Sequence, residues 1–195
     1  YVHAMYELNK LYGINKFVIM VPTLPIKAGA KMFMSEQYVL NHFRDLYGTE
    51  IQLCEVSPQK KQKKGRKQYP SSVTSFFQGS FQQDNKIFVL LLNPQLITGN
   101  SKLLTESYDK DLFGADGTDV PLNAIKATRP FVIIDEPHRF SKEQKAYQTI
   151  IEKMQPQCVI RFGATFPMIS EGKGKNKVTR RDYCNLLYNL NACQS

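Results

Sequence analysis

The chain lacks the marks of several protein classes. No apolar run approaches the roughly 18 residues of a membrane-crossing helix, and no secretory signal pattern opens the sequence. Cysteine is sparse: Cys54, Cys158, Cys184 and Cys193 contain no CxxC pair, and no Cys/His group has metal-ligand spacing. That argues against zinc modules and disulfide scaffolds. It leaves reduced, structural thiols in a cytoplasmic protein with no membrane partner. No internal repeat is present. An opening methionine is also missing, since the first residue is Tyr1.

What is present describes a globular chain. Its 195 residues suffice for one domain with a real core, and 42% are hydrophobic. A net charge of +9 suggests a polyanionic partner, although charge alone identifies none. The opening YVHAMYELNKLYG reads as a helix: Val2, Met5, Leu8 and Tyr12 are near helical spacing, and Gly13 sits at the stop position. Tyr1 is therefore expected inside an element whose start is missing, as in a fragment of a longer polypeptide.

Five apolar, β-branched runs recur: KFVIMV (16–21), EIQLCEV (50–56), KIFVLLL (86–92), PFVIIDE (130–136) and CVIRFGAT (158–165). They are continuous runs with no in/out alternation, the pattern of strands buried on both faces of a parallel sheet. Helical patterns lie between them. One long amphipathic stretch covers 26–47 and closes at Gly48, and another lies near 71–79. A third covers 141–154, opening with the capping box Ser141 to Gln144. The alternation predicts a doubly wound α/β domain. In such domains ligands bind beyond the carboxyl ends of the strands. Residues 108–121 are Gly/Asp-rich and expected as a loop, and 171–181 as a mobile basic run.

Three strand ends carry candidate chemistry. FVIIDEPHRF (131–140) drives an apolar strand into Asp135 and Glu136. An aspartate there suits Mg²⁺, which prefers one or two carboxylates plus phosphate oxygens. The adjoining Glu136 suits the orientation or deprotonation of a water attacking a phosphate. CVIRFGATF ends in Gly163, Ala164 and Thr165, and the Thr165 hydroxyl can bond His138 across neighbouring strand ends. FVIMVPTLPIKAG turns at Pro22 and Thr23 into a helix whose amides suit a nucleic-acid phosphate. Taken singly, each motif is also what an ordinary strand-end turn looks like.

In this order the three motifs resemble a superfamily 2 helicase, with VPTLPIKAG as motif Ia, DEPH as a DExH motif II and GATF as motif III. VLLLNPQLIT (89–98), IKATRPFVIIDEPHRF (125–140) and RFGATFP (161–167) narrow the resemblance to the Res subunit of type III restriction endonucleases. The resemblance implies a RecA-like three-layer α/β fold with a mostly parallel sheet. It implies ATP and Mg²⁺ as cofactors, and double-stranded DNA and a DNA-methyltransferase (modification) subunit as partners. By that resemblance Asp135 and Glu136 are catalytic, with Asp135 on the metal. His138, Gly163, Ala164 and Thr165 couple hydrolysis to DNA, and Pro22, Thr23 and Lys27 touch the DNA backbone. The basic run KKQKKGRK adds Lys60, Lys61, Lys63, Lys64, Arg66 and Lys67 as phosphate contacts, with a solvated loop as the alternative. Two other readings stand beside this one: a different superfamily 2 motor, such as a type I restriction subunit or repair helicase, and a degenerate ATPase fold that only binds.

The departures are informative. GxxxxGK[ST] does not occur, so the phosphate-cradling loop is absent. The family places it immediately before a helix resembling residues 1–12. Residues 1–195 are thus expected as a partial first RecA-like domain, with the second such domain and a nuclease domain downstream, toward which YNLNACQS (188–195) leads. A sheet without its P-loop strand exposes an unpaired edge. The isolated chain is therefore expected to be marginally stable and prone to aggregate. A cooperative, high-temperature melt of a soluble monomer in calorimetry would contradict that.

Overall fold

The computed structural model describes residues 1–57, 68–79, 85–98, 102–109, 117–139, 147–148, 150–166, 168–172, 174 and 177–181. Five strands form one parallel sheet: β1 (Lys16–Met20), β2 (Glu50–Glu55), β3 (Lys86–Leu92), β4 (Phe131–Asp135) and β5 (Cys158–Phe162), in the order β2-β3-β1-β4-β5. These are the five apolar runs. Their lack of alternation has a direct cause, visible on β1. Phe17, Ile19 and Val21 face one core, while Val18 and Met20 face the other. Both faces need apolar residues because both are covered.

One face carries α1 (Val2–Tyr12), α2 (Leu24–Ser35) and α3 (Gln37–Tyr47). The other carries α4 (Ser71–Gln78), α5 (Gln95–Thr98), α6 (Pro121–Ala127) and a π-helical turn at Ile150–Met154. The result is a three-layer α/β domain, as the resemblance implied. Among the described residues no helix is long and apolar enough to cross a membrane.

Local chemistry explains the boundaries. Gly13 and Gly48 end α1 and α3 in the left-handed conformation, at φ 68° and 67°. A Cβ is strained there, which is why glycine serves as the stop. The long helix expected over 26–47 is instead two helices. Glu36 takes an extended conformation (φ −67°, ψ 123°), closing α2 and opening α3. The break is bonded on both sides: the Glu36 amide donates to Phe33 and the Leu40 amide to Glu36. The loop expected over 108–121 holds for the described residues 108–109 and 117–120, and ends where Pro121 opens α6 as a fixed-φ first residue. A second correction concerns 171–181. There β7 (Val178–Arg181) pairs antiparallel with β6 (Met168–Glu171), so the segment is partly ordered as a ribbon. Of the helix expected over 141–154 the described part is Tyr147–Gln148 and the π-helical turn; Ser141 and Gln144 lie outside the described residues.

Lys16 opens β1 at the amino edge of the sheet and is 5% exposed. Its ammonium donates to the Phe76 carbonyl and stands 4.9 Å and 4.2 Å from the Phe76 and Phe88 ring centroids. Burial pushes its pKa down to about 8, against a smaller upward pull from Cys54. The unfolded chain keeps that proton up to about pH 10.4. Between these values the unfolded state binds more protons, so this group makes stability rise with pH. The phenols of half-buried Tyr1 and buried Tyr6, each raised to about 12, oppose this above about pH 10. A comparison with Lys16→Met isolates the lysine. Urea unfolding is expected to show wild-type stability rising relative to the variant between pH 8 and 10, and a flat difference would contradict the assignment.

Candidate active site

The three chemistry-bearing turns leave three adjacent strands. β1 pairs with β4 and β4 with β5, all parallel, so β1, β4 and β5 end together at the carboxyl edge. Met20 is opposite Ile134, and Asp135 is opposite Phe162. The Pro22–Thr23 turn, the DEPH turn and the Gly163–Thr165 turn therefore emerge side by side.

At the centre, the Glu136 amide donates to the Phe162 carbonyl at 2.9 Å and extends the β4–β5 ladder by one bond. Glu136 then turns left-handed at φ 54°. For a non-glycine residue this conformation costs about 1–2 kcal/mol. It reverses the chain at once into a 3₁₀ turn, Pro137–Arg139. The Arg139 amide closes the reversal on the Glu136 carbonyl at 3.0 Å. Pro137 is buried against the next turn. A Cβ added at Gly163 would lie 2.4 Å from Pro137 Cδ, so only glycine permits this approach.

The approach brings His138 to Thr165. His138 Nδ1 stands 3.0 Å from Thr165 Oγ1 and 3.2 Å from Glu136 Oε2. One ring nitrogen thus faces both the second carboxylate and the neighbouring strand-end hydroxyl. If it carries a proton it donates to either oxygen; if it does not, the Thr165 hydroxyl donates to it. Ala164 lies between Gly163 and Thr165 on the exposed turn.

Asp135 is half-buried and its pKa is raised, first by burial and then by the charge of Glu136. Among the described residues no basic side chain forms an ion pair with it. α1 begins beside it: Tyr1 packs edge-on against Phe162 with ring centroids 6.0 Å apart, and its phenol rises to about 12 through burial and the Asp135 charge. Among the described residues no cluster of three or more His, Cys, Asp or Glu side chains could hold a metal. A single hard carboxylate suits a cation that takes its other ligands from water and substrate oxygens, as Mg²⁺ does.

The residues expected to touch DNA divide. Thr23 precedes α2 with extended backbone (φ −134°, ψ 157°) and makes no side-chain capping bond, and Pro22 is half-buried beside it. Lys27 departs from the expectation. It is 4% exposed, its ammonium donates to the Val56 carbonyl, and it stands 3.3 Å from Glu55 Oε1. Committed inside the fold, it does not present its charge to a phosphate. The signal was in the sequence: Lys27, Ala30 and Met34 fall at helical spacing and form the buried stripe of α2. Lys60, Lys61, Lys63, Lys64, Arg66 and Lys67 lie outside the described residues. Glu55, which sequence reasoning did not select, holds Lys31 as well at 2.8 Å. Burial raises the Glu55 pKa, but the bonds and charges of Lys31 and Lys27 outweigh burial and hold it below the usual carboxylate range.

The Gly163–Pro137 contact yields a direct test. Gly163→Ala is expected to push the DEPH turn away and break the His138–Thr165 contact, at a cost of about 1–3 kcal/mol typical of overpacking. The ¹⁵N shifts of the His138 ring would report the broken contact; unchanged shifts would contradict it.

Comparison with known proteins identifies the family. Residues 1–168 match the family model described as "Type III restriction enzyme, res subunit". The chain is 44% identical over 199 residues to the type III restriction-modification enzyme StyLTI Res subunit of Salmonella typhimurium, covering 100% of this chain and 20% of that protein. It is 42% identical to the EcoP15I Res subunit of Escherichia coli and 41% to the EcoPI Res subunit of Escherichia phage P1, in each case over 98% of this chain and 18% of the relative. The chain thus spans a small part of the length of these relatives. With the ordered motifs, the parallel sheet and a family match over most of its residues, the chain belongs to the type III restriction enzyme Res-subunit family.

Proposed function

We propose that this chain is part of the first RecA-like ATPase domain of a type III restriction Res subunit. In the full-length protein, hydrolysis of ATP on double-stranded DNA would license cleavage by a separate nuclease domain. A modification subunit would read the recognition sequence. The observation that carries this reading is the junction of the DEPH and GAT turns on neighbouring parallel strands, with His138 Nδ1 between Thr165 and Glu136.

Each residue has a role that its surroundings support. Glu136, reversed by its left-handed backbone and 38% exposed at its side chain, orients the attacking water and takes its proton. Asp135, half-buried and lacking an ion-pair partner among the described residues, would hold Mg²⁺. Bound there, that ion would neutralise charge on the phosphate oxygens. His138 carries the state of the Glu136 carboxylate to Thr165, and the Gly163 and Ala164 backbone carries it along the strand-end turn. Thr23 and the first amides of α2 contact a DNA phosphate, aided by the helix dipole.

The remaining half of the nucleotide site would come from the rest of the full-length protein. α1 begins beside Asp135, so residues entering α1 from the full-length protein would come in at this edge. A phosphate loop placed there would bring its amides to the α1 terminus.

The test uses the full-length protein. Glu136→Gln keeps the shape of the side chain and removes its basicity. It is expected to lower ATP turnover by about 10²–10⁴-fold while ATP binding, followed by a fluorescent analogue, persists. Turnover at the wild-type rate would overturn the assignment.

A further inference from the structure

The Glu55 carboxylate stands at the carboxyl end of β2, one strand outside β3 and away from the DEPH turn. Its two oxygens meet two lysines of α2, Oε1 at 3.3 Å from Lys27 and Oε2 at 2.8 Å from Lys31, and Oε1 also accepts a bond from the Ser57 hydroxyl at 3.2 Å. Lys27 also donates to the carbonyl of Val56, whose own amide is bonded to Leu91 at 3.0 Å. So the last residue of β2, the residue after it and the first turn of α2 are joined through one nearly fully buried ammonium. The Lys27 amide in turn bonds the Thr23 carbonyl at 3.0 Å. The chain of contacts runs from Glu55 through Lys27 to Thr23.

A buried ion pair contributes little net stability, because desolvation offsets most of the attraction, and a well-packed apolar pair often does as well. Its distinctive contribution is register: removing one partner strands a charge, and shifting the helix separates both. Lys27 is on the stripe that α2 buries with Ala30 and Met34, where an apolar residue would be the ordinary choice. Using a lysine there fixes the first turn of α2 at one height above the sheet.

We propose that Glu55 is a positioning residue for DNA, holding the Thr23 turn at the height where it meets the phosphate backbone by fixing Lys27. This rests on the reading of the Thr23 turn as a DNA contact. Lys31, half exposed one turn further along the same helix, is bonded to the other Glu55 oxygen and ties α2 to Glu55 from the solvent side.

The test follows ATP turnover of the full-length protein as DNA is titrated, with the melting temperature measured in parallel. Glu55→Gln is expected to lower the Tm and to raise the DNA concentration for half-maximal turnover about tenfold. Maximal turnover and the nucleotide KM stay at wild type, the signature of lost binding without lost chemistry. The double variant Glu55→Leu, Lys27→Met removes both charges. Its Tm is expected to recover, while the DNA requirement stays raised because the tie between Glu55 and the first turn of α2 is gone. Recovery of both would mean that the pair only stabilises the fold, and would overturn the proposal. So would a wild-type DNA requirement in either variant, or a fall in maximal turnover in place of the shift. Thr23→Ala separates the two readings. An unchanged DNA requirement in that variant defeats the DNA role of the turn itself. A raised requirement there, with none for Glu55→Gln, defeats only the positioning role.

Discussion

Everything at this site depends on the parallel registration of β4 with its two neighbours. Because β1, β4 and β5 run in one direction and end at one level, three turns distant in sequence open onto one edge. An antiparallel neighbour would send its turn to the opposite edge. Parallel strands in turn require long crossovers, and the helices of those crossovers cover both faces of the sheet. The two apolar cores and the clustered turns thus have a single origin. Phe17, Ile19 and Val21 on one side and Val18 and Met20 on the other hold the strand that places the Pro22–Thr23 turn beside Asp135.

Within that edge, two backbone features convert proximity into contact. Glu136 accepts a left-handed conformation, and Gly163 leaves out the atom that would strike Pro137. The first reverses the chain within one residue after the strand. The second lets the reversed turn settle on β5's outgoing segment, and the side-chain contact between His138 and Thr165 follows from both. The conformational cost at Glu136 is modest against the two backbone bonds that flank it and the burial of Pro137.

Much of this was legible in the sequence. Continuous apolar runs announced buried parallel strands, the polar residues at two strand ends supplied the His138–Thr165 pair, and the motif order supplied the family. Some elements escaped for physical reasons. The split at Glu36 left no punctuation, since no Gly or Pro marks it and both halves are amphipathic. β7 was hidden because its exposed residues, Val178 through Arg181, read as a charged run. Its order comes from pairing with Met168–Glu171, which local composition does not encode. The left-handed Glu136 and the Gly163–Pro137 approach are properties of two strands in register, and no single stretch carries them.

The two buried lysines show why charge counting misleads in such a chain. Lys16 and Lys27 add to a basic total that suggests a polyanion, yet neither presents its charge outward. Lys16, at the amino edge, is met by two aromatic rings and a carbonyl, and burial lowers its pKa. Lys27, at the carboxyl edge, is met by a carboxylate and a carbonyl. The difference follows from what each edge requires. At the amino edge a lysine can cap the end of α4 through Phe76 and remain a local packing element. At the carboxyl edge the helix that follows β1 must stand at a fixed height over the strand ends, because its first turn borders the site. Beside the packing of Ala30 and Met34, the ion pair adds a directional tie between α2 and the end of β2. On the proposal above, the buried charge at that edge serves the placement of the Thr23 turn more than the stability of the fold.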